Sequence, residues 1–313
     1  MTETADKPYV ATLDFAEYAH DPKGFGQKML DGMRETGFLV IRNHTIPEEA
    51  IEAMEATSKA FFALPVEKKT PYAMPENHFQ RGYSPFGVES AKGVDAPDLK
   101  EFWHFGRDSI PGVPGTPAVD GLPEFDSAGH SLFREMDKFG RTLMEALGQV
   151  LDMTADHLDA ALVNGNSILR LLHYPPMPEG RGSSVRAAAH EDINLLTLLL
   201  GAEEAGLQVK HRTGVWMEVD APTGSLVINA GDMLERLTGG VIPSTTHRVV
   251  NPTQERAPHS RYSMPFFLHP ASDFPLDALP KCLEMGGEAY ETITARGYLD
   301  ERLREIGLAK TDA

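Results

Sequence analysis

The chain of 313 residues has one cysteine, Cys282. No disulfide can form within it, and no thiolate cluster can hold zinc or an iron–sulfur centre. Any metal held by the protein must therefore use imidazole and carboxylate ligands, and Cys282 itself reads as an inert thiol. Basic residues are also scarce: 29 Lys and Arg stand against 46 Asp and Glu, a formal net charge of −17. That balance argues against nucleic acid, whose phosphates need clustered cations, and against docking on anionic lipid. Long hydrophobic runs are missing as well. The longest, at 195–200, is interrupted by Thr197 and is far too short to span a bilayer. The opening MTETADKPYVATLDF has neither the basic start nor the apolar stretch of a signal peptide. These absences leave a soluble cytoplasmic protein as the expectation. A chain of this length buries about 75% of its unfolded surface and needs no covalent staple.

What is present changes character along the chain. Residues 9–15 alternate in polarity like a first strand, and residues 24–36 carry apolar side chains at helical spacing that Gly37 ends. The run Phe38-Leu39-Val40-Ile41 reads as a buried strand. Pro47-Glu48-Glu49 opens a second helix reaching about Phe62. Residues 70–125 are rich in Pro, Gly and Asp and predict irregular structure with short strands. A long helix is expected over 126–150 and a short one over 154–163. From Ile168 the pattern becomes strand-like: 168–174, 194–200, 207–210, 216–219, 225–229, 248–251 and 261–267, punctuated by Gly and Pro as in a sandwich or barrel. A helical tail closes the chain at about 286–307. There is no internal repeat, so one domain is expected over 1–313: a largely helical part at 1–165, a β core at 166–270 and a helical tail at 271–313.

Three residues in the β region suggest chemistry. His190 and Asp192 stand at i and i+2, which on a strand puts both side chains on one face. His247 follows after a segment long enough for several strands to return beside the first pair. Two imidazoles and one carboxylate make the facial triad of non-haem Fe(II) oxygenases, which leaves coordination positions open on the opposite side. A lone His-x-Asp pair is common by chance, and His20, His44, His78, His104, His130, His157, His211, His259 and His269 show no comparable pairing.

The segments around these residues carry a wider likeness. Ala189-His190-Glu191-Asp192-Ile193-Asn194-Leu195-Leu196-Thr197-Leu198-Leu199 resembles the iron-binding strand of the 2-oxoglutarate-dependent oxygenases related to isopenicillin N synthase. So do Asn229-Ala230-Gly231-Asp232-Met233-Leu234, Ser244-Thr245-Thr246-His247-Arg248-Val249 and Arg261-Tyr262-Ser263. Earlier segments follow in the family's order: Gly37-Phe38 with Asn43-His44, Phe61-Phe62-Ala63-Leu64-Pro65, Gly82-Tyr83, Asp98-Leu99-Lys100-Glu101 and His173-Tyr174-Pro175-Pro176-Met177-Pro178. The likeness covers about residues 8–270. It implies a double-stranded β-helix, a jelly-roll core wrapped by N- and C-terminal helices. It implies Fe(II) on His190, Asp192 and His247, with 2-oxoglutarate and O2 as cosubstrates, and oxidation of a small organic molecule with release of succinate and CO2.

Within that resemblance, Arg261 and Ser263 share a strand face and match the pair that holds the far carboxylate of 2-oxoglutarate, a group suited to a guanidinium and a hydroxyl. Tyr174 aligns with a tyrosine that bonds the same carboxylate. Two departures stand out: Leu172 replaces a family Asn, and residues 252–260 lengthen the gap before Arg261. Arg170, at i−4 from Tyr174, is expected to face the cavity, either toward substrate or in a salt bridge; Arg186 has the same ambiguity beside His190. Asn194 shares the parity of the ligand pair and is expected to border the substrate, as is Phe267 or its neighbour Phe266. Glu191 should point away from the iron, and Gly37, Asn43 and His44 read as structural. Three other readings remain open: an Fe(II)/O2 oxidase that dispenses with 2-oxoglutarate, a non-catalytic jelly-roll binding protein, and a zinc hydrolase using the same three ligands.

Overall fold

In the computed structural model, which describes residues 9–88, 100–108, 110–176, 187–200, 206–250 and 259–305, the N-terminal part interleaves strands and helices. In order these are β1 (Ala11–Asp14), α1 (Pro22–Thr36), β2 (Phe38–Arg42), α2 (Glu48–Phe62), α3 (Val66–Lys69), β3 (Gly82–Ser84) and β4 (Glu101–Gly106). Then come α4 (Pro123–Val150) and α5 (Ala155–Leu162). The β-rich part holds β5 (Ile168–Tyr174), β6 (Ala187–His190), β7 (Leu196–Leu200), β8 (Leu207–Lys210), β9 (Trp216–Glu218) and β10 (Leu226–Ala230). After a short helix, α6 (Asp232–Leu237), it ends with β11 (His247–Val249), β12 (Arg261–Ser263) and β13 (Pro265–Leu268), followed by α7 (Pro280–Glu284) and α8 (Ala295–Glu305).

Local chemistry explains the boundaries. The Asp21 carboxylate accepts from the Gly24 N–H at the start of α1. Gly37 ends that helix at φ 70°, and its N–H returns to the Met33 carbonyl. The chain then turns directly into the apolar β2.

From β5 onward the chain passes back and forth between two sheets. β5, β7, β10, β12 and β13 lie in a major sheet ordered β1-β2-β10-β7-β13-β5-β4-β3, with β12 also paired to β5. β6, β8, β9 and β11 form a minor sheet ordered β6-β11-β8-β9. This alternation is the double-stranded β-helix. The two faces of the major sheet differ because side chains alternate along a strand. Leu39, Ile41, Leu169, Leu171, Leu196, Leu198, Leu226, Ile228 and Phe266 join one apolar cluster with Phe25, Met29, Phe61, Leu132, Phe139 and Leu143 from the helices. The other face points at the minor sheet. There Phe38 and Val227 meet Val209, and a separate cluster joins Phe102, Leu172 and Tyr174.

Several sequence expectations need correction. The N-terminal strands do more than accompany the helices: β1 and β2, expected at 9–15 and 38–41, and β3 and β4, in the stretch expected to be irregular with short strands, extend the major sheet at both ends. The strand Glu101–Gly106 is buried along its whole length, a signal lost in the Pro- and Gly-rich composition around it. The expected strand over 261–267 is two strands interrupted at Met264. The C-terminal helix begins at Ala295 rather than at 286, since Gly286 at φ 92° ends the preceding turn and Thr294 bridges to Pro275. Asp98, Leu99, Met177, Pro178, Arg186 and residues 252–258 lie outside the described residues. Cys282 is buried, and burial pushes its thiol up to about 11, in keeping with an inert role. No described helix is long and apolar enough to cross a membrane.

Burial also lowers the pKa of His157, whose ring packs edge-on against Phe274 at 5.2 Å. In the unfolded chain the imidazole regains its ordinary value of about 6.5, so the unfolded state binds more protons as pH falls. The stabilising contribution is complete above that value and is lost as pH drops through it toward the lower folded-state value. Denaturant midpoints measured from about pH 8 to about pH 5 should therefore fall less steeply in His157→Leu than in the parent chain; equal slopes would contradict the assignment.

Candidate active site

His190 ends β6, and the register sets it directly opposite His247 on β11. The two imidazole centroids are 4.4 Å apart. Asp192 is not on the strand with His190, contrary to the parity argument: β6 stops at His190, and Asp192 sits on the turn into β7. The grouping survives because that turn brings the carboxylate back beside both rings. His190 Nε2 lies 3.8 Å from Asp192 Oδ1, and His247 Nε2 lies 3.9 Å from Asp192 Oδ2. One donor atom from each of the three falls within 4.8 Å of the others.

The surroundings prepare these groups for a cation. Asp192 Oδ2 accepts from Thr197 Oγ1 on β7 at 2.5 Å and from Asn229 Nδ2 on β10 at 2.8 Å. The Asp192 carbonyl accepts from the Asp232 N–H at the start of α6, at 2.8 Å. Burial works against the charge of Asp192, but the imidazoles of His247 and His190, with the Asn229 and Thr197 hydrogen bonds, outweigh it and hold the carboxyl below its usual range. Burial lowers the pKa of His247 in spite of the neighbouring carboxylate. His247 Nδ1 donates to the Thr245 carbonyl at 3.1 Å, which leaves Nε2 with its lone pair toward Asp192. Neutral imidazoles and an ionised carboxylate are the ligand states a divalent cation requires. The separations of 3.8 and 3.9 Å are within the roughly 4 Å that two ligands about 2.1 Å from a shared ion can span. The donor set therefore fits Fe(II). The side chain of His190 is 47% exposed while those of Asp192 and His247 are nearly buried, so the cluster opens to solvent on the His190 side. Glu191 is exposed and accepts from Thr246, away from the cluster as expected.

The inner face of the major sheet carries the other candidates. Arg261 on β12 is opposite Tyr174 on β5, with its guanidinium 5.6 Å from the Tyr174 ring, and Ser263 is opposite Leu172. Arg261 and Tyr174 are buried. Leu172 packs with Phe102 and Tyr174, so this stretch of wall is apolar where the family has an Asn. Arg170, two residues before Leu172, lies with its guanidinium carbon 4.5 Å from the Phe102 ring and 5.4 Å from the Phe267 ring. Its Nε donates to His104 Nε2 at 2.7 Å, and His104 Nδ1 in turn donates to the Phe79 carbonyl at 2.8 Å. Of the two adjacent phenylalanines, Phe267 faces inward, while Phe266 packs on Phe133 of α4.

Asn194 does not border the substrate space as parity suggested. It is 1% exposed, and its Nδ2 donates to Thr197 Oγ1 at 2.9 Å and to the Leu196 carbonyl at 3.2 Å. The chain has left the strand by Glu191, so the alternation no longer applies, and Asn194 braces the threonine that holds Asp192.

Sequence reasoning missed Thr197, Asn229 and His104 as site residues. A signal existed for the first two. Each is a lone polar residue inside an apolar strand, Leu196-Thr197-Leu198 and Ile228-Asn229-Ala230, and a buried polar group needs a partner. Nothing local marked His104, whose partner Arg170 is far away in sequence.

A double-stranded β-helix with two imidazoles and a carboxylate gathered between its sheets defines the class of non-haem iron oxygenases. Comparison with known proteins agrees. Residues 165–270 match the model of the 2OG-Fe(II) oxygenase superfamily, and residues 10–123 match that of the non-haem dioxygenase in morphine synthesis N-terminal region. A 2-oxoglutarate-dependent dioxygenase of Didymella fabae is 30% identical, over 93% of this chain and 94% of its own. The fold superposes on a 2OG-Fe(II) oxygenase family protein of Caulobacter crescentus with TM-score 0.86 and 46% identity, covering 94% of this chain and 98% of that one. A Neurospora crassa protein, solved at full length in complex with alpha-KG and thymine, gives TM-score 0.85 and 30% identity over 96% of this chain and 98% of its own. The chain belongs to the 2OG-Fe(II) oxygenase family and is a non-haem dioxygenase that depends on Fe(II), 2-oxoglutarate and O2.

The hydrogen bond from Asn229 to Asp192 generates a direct test. Asn229→Ala should weaken metal binding by about 10–100-fold in anaerobic titrations while the protein stays folded. Unchanged metal affinity would show that the bond does not serve the cluster.

Proposed function

We propose that His190, Asp192 and His247 hold the iron and that Arg261, Ser263 and Tyr174 hold 2-oxoglutarate beside it. The observation that carries this reading is the three-residue cluster, with its buried carboxylate kept ionised and the Nε2 lone pair of His247 turned toward it. When bound, the iron supplies the activation of O2 that couples decarboxylation of 2-oxoglutarate to oxidation of the substrate. The protein's own residues do the rest. The Arg261 guanidinium meets the far carboxylate of 2-oxoglutarate, with Ser263 and Tyr174 as hydroxyl partners on the same wall. The apolar surfaces of Leu172, Phe102 and Phe267 exclude water from the reacting groups. The outcome is hydroxylation of a small organic substrate, with succinate and CO2 released.

The Neurospora crassa structure contains thymine, and a substrate of similar size suits this chain. Arg170, flanked by Phe102 and Phe267 and braced by His104, supports a substrate that carries hydrogen-bond acceptors. The apolar cluster that joins both halves of the chain supports reading residues 1–313 as one domain, and the acidic composition supports a cytoplasmic setting.

The test is a succinate-release screen against a library of small metabolites, with and without 2-oxoglutarate, using Asp192→Ala as the control. Succinate should appear with a product one oxygen heavier than the substrate, should require 2-oxoglutarate, and should drop by about a hundredfold or more in the variant. Product formed equally well without 2-oxoglutarate would sink the proposal.

A further inference from the structure

Glu101 takes no part in the site above, yet it is a charged side chain only 1% exposed. Its carboxylate gathers three donors. Lys69 Nζ at 2.7 Å and Tyr83 OH at 2.5 Å reach Oε2, and His173 Nδ1 reaches Oε1 at 2.8 Å. Lys69, 3% exposed, also donates to the Phe62 carbonyl at 3.0 Å. Burial opposes the charge of Glu101, but the hydrogen bonds from His173, Lys69 and Tyr83 keep its carboxyl below the ordinary range. Donors from α3, β3 and β5 thus converge on one carboxylate carried by β4. A buried ion pair adds little net stability over an apolar filling of the same shape, so what this one holds in place matters more than its own energy.

What it holds is the imidazole of His173. With Nδ1 fixed on Glu101, Nε2 lies 3.1 Å from Ser260 Oγ, and the ring stacks on Tyr262 with centroids 4.9 Å apart and planes 14° from parallel. Glu101, His173 and Tyr262 occupy one rung of the sheet, since Glu101 pairs with His173 and His173 with Tyr262. Ser260 and Tyr262 are the two neighbours of Arg261. Strand β12 has only three residues, and a slip of one position would turn Arg261 and Ser263 to the opposite face.

We propose that Glu101 and His173 are positioning residues for 2-oxoglutarate: the imidazole, fixed by Glu101, pins β12 from its outer face and so keeps Arg261 and Ser263 aimed inward. The inference rests on the reading of Arg261 and Ser263 as the cosubstrate clamp.

His173→Phe is the decisive variant, because it keeps a flat ring against Tyr262 and leaves the Lys69–Glu101–Tyr83 contacts intact while removing both imidazole hydrogen bonds. Calorimetry with 2-oxoglutarate on Mn(II)-loaded protein should show Kd raised about tenfold. Hydrogen exchange at residues 260–263 should quicken, and kcat at saturating 2-oxoglutarate should change by less than about twofold. Glu101→Gln should shift the 2-oxoglutarate affinity in the same direction. A folded His173→Phe protein with unchanged affinity for 2-oxoglutarate overturns the inference, whether or not Glu101→Gln folds. Arg261→Ala separates the two levels. If it weakens binding and His173→Phe does not, the inference alone fails. If it leaves binding unchanged, the clamp reading fails and takes the inference with it.

Discussion

Asp192 holds a negative charge where water barely reaches, and the way that charge is satisfied organises the site. Its two hydrogen bonds come from β7 and β10 of the major sheet, while the imidazoles beside it belong to β6 and β11 of the minor sheet. The carboxylate therefore joins two sheets whose separation sets the width of the barrel. An unsatisfied buried charge would be costly, so Thr197, Asn229 and the imidazoles are as much a condition of folding at this point as of metal binding. Asn194 extends the same logic one step back by orienting the Thr197 hydroxyl.

The division of labour between the faces of the major sheet follows from strand alternation. One face is almost wholly apolar and is covered by helices, which gives the sheet a rigid backing. The other carries the few polar groups that chemistry needs, set in short apolar patches: Arg261 with Tyr174, and Arg170 with His104 between two phenylalanines. Charges on that inner face are placed by neighbours rather than by solvent. The Glu101 cluster, at one end of the backing face, supplies part of that placement.

Much of this was legible from sequence because it depends on short-range pattern. The strand at 168–174, the helix ended by Gly37 and the long helix leading into the β region all follow from periodicity and capping. Spacing and ligand chemistry raised the three candidate ligands and the family likeness added the Arg261–Ser263 pair; the structure brings the three ligands together and sets the pair on β12 against β5. What failed had long-range causes. Parity placed Asp192 and Asn194 on a strand that in fact stops at His190, and only the fold reveals that the following turn returns Asp192 and not Asn194 to the cluster. The strands β1 and β2 were legible locally, but the place of β2 and β4 in the major sheet was not, because β2 pairs with β10 and β4 with β5, each more than sixty residues away in sequence. His104 and Glu101 acquire meaning only through Arg170 and His173, which neither composition nor local spacing connects to them.

The central claim is that one cluster holds the iron and shares it with 2-oxoglutarate held by Arg261. The most direct measurement is visible absorption during anaerobic titration of the Fe(II)-loaded protein with 2-oxoglutarate. A charge-transfer band should grow to saturation as the cosubstrate binds the metal, should be absent in Asp192→Ala, and should need higher 2-oxoglutarate concentrations in Arg261→Ala. An Fe(II)-loaded protein that shows no band at any 2-oxoglutarate concentration would contradict the account.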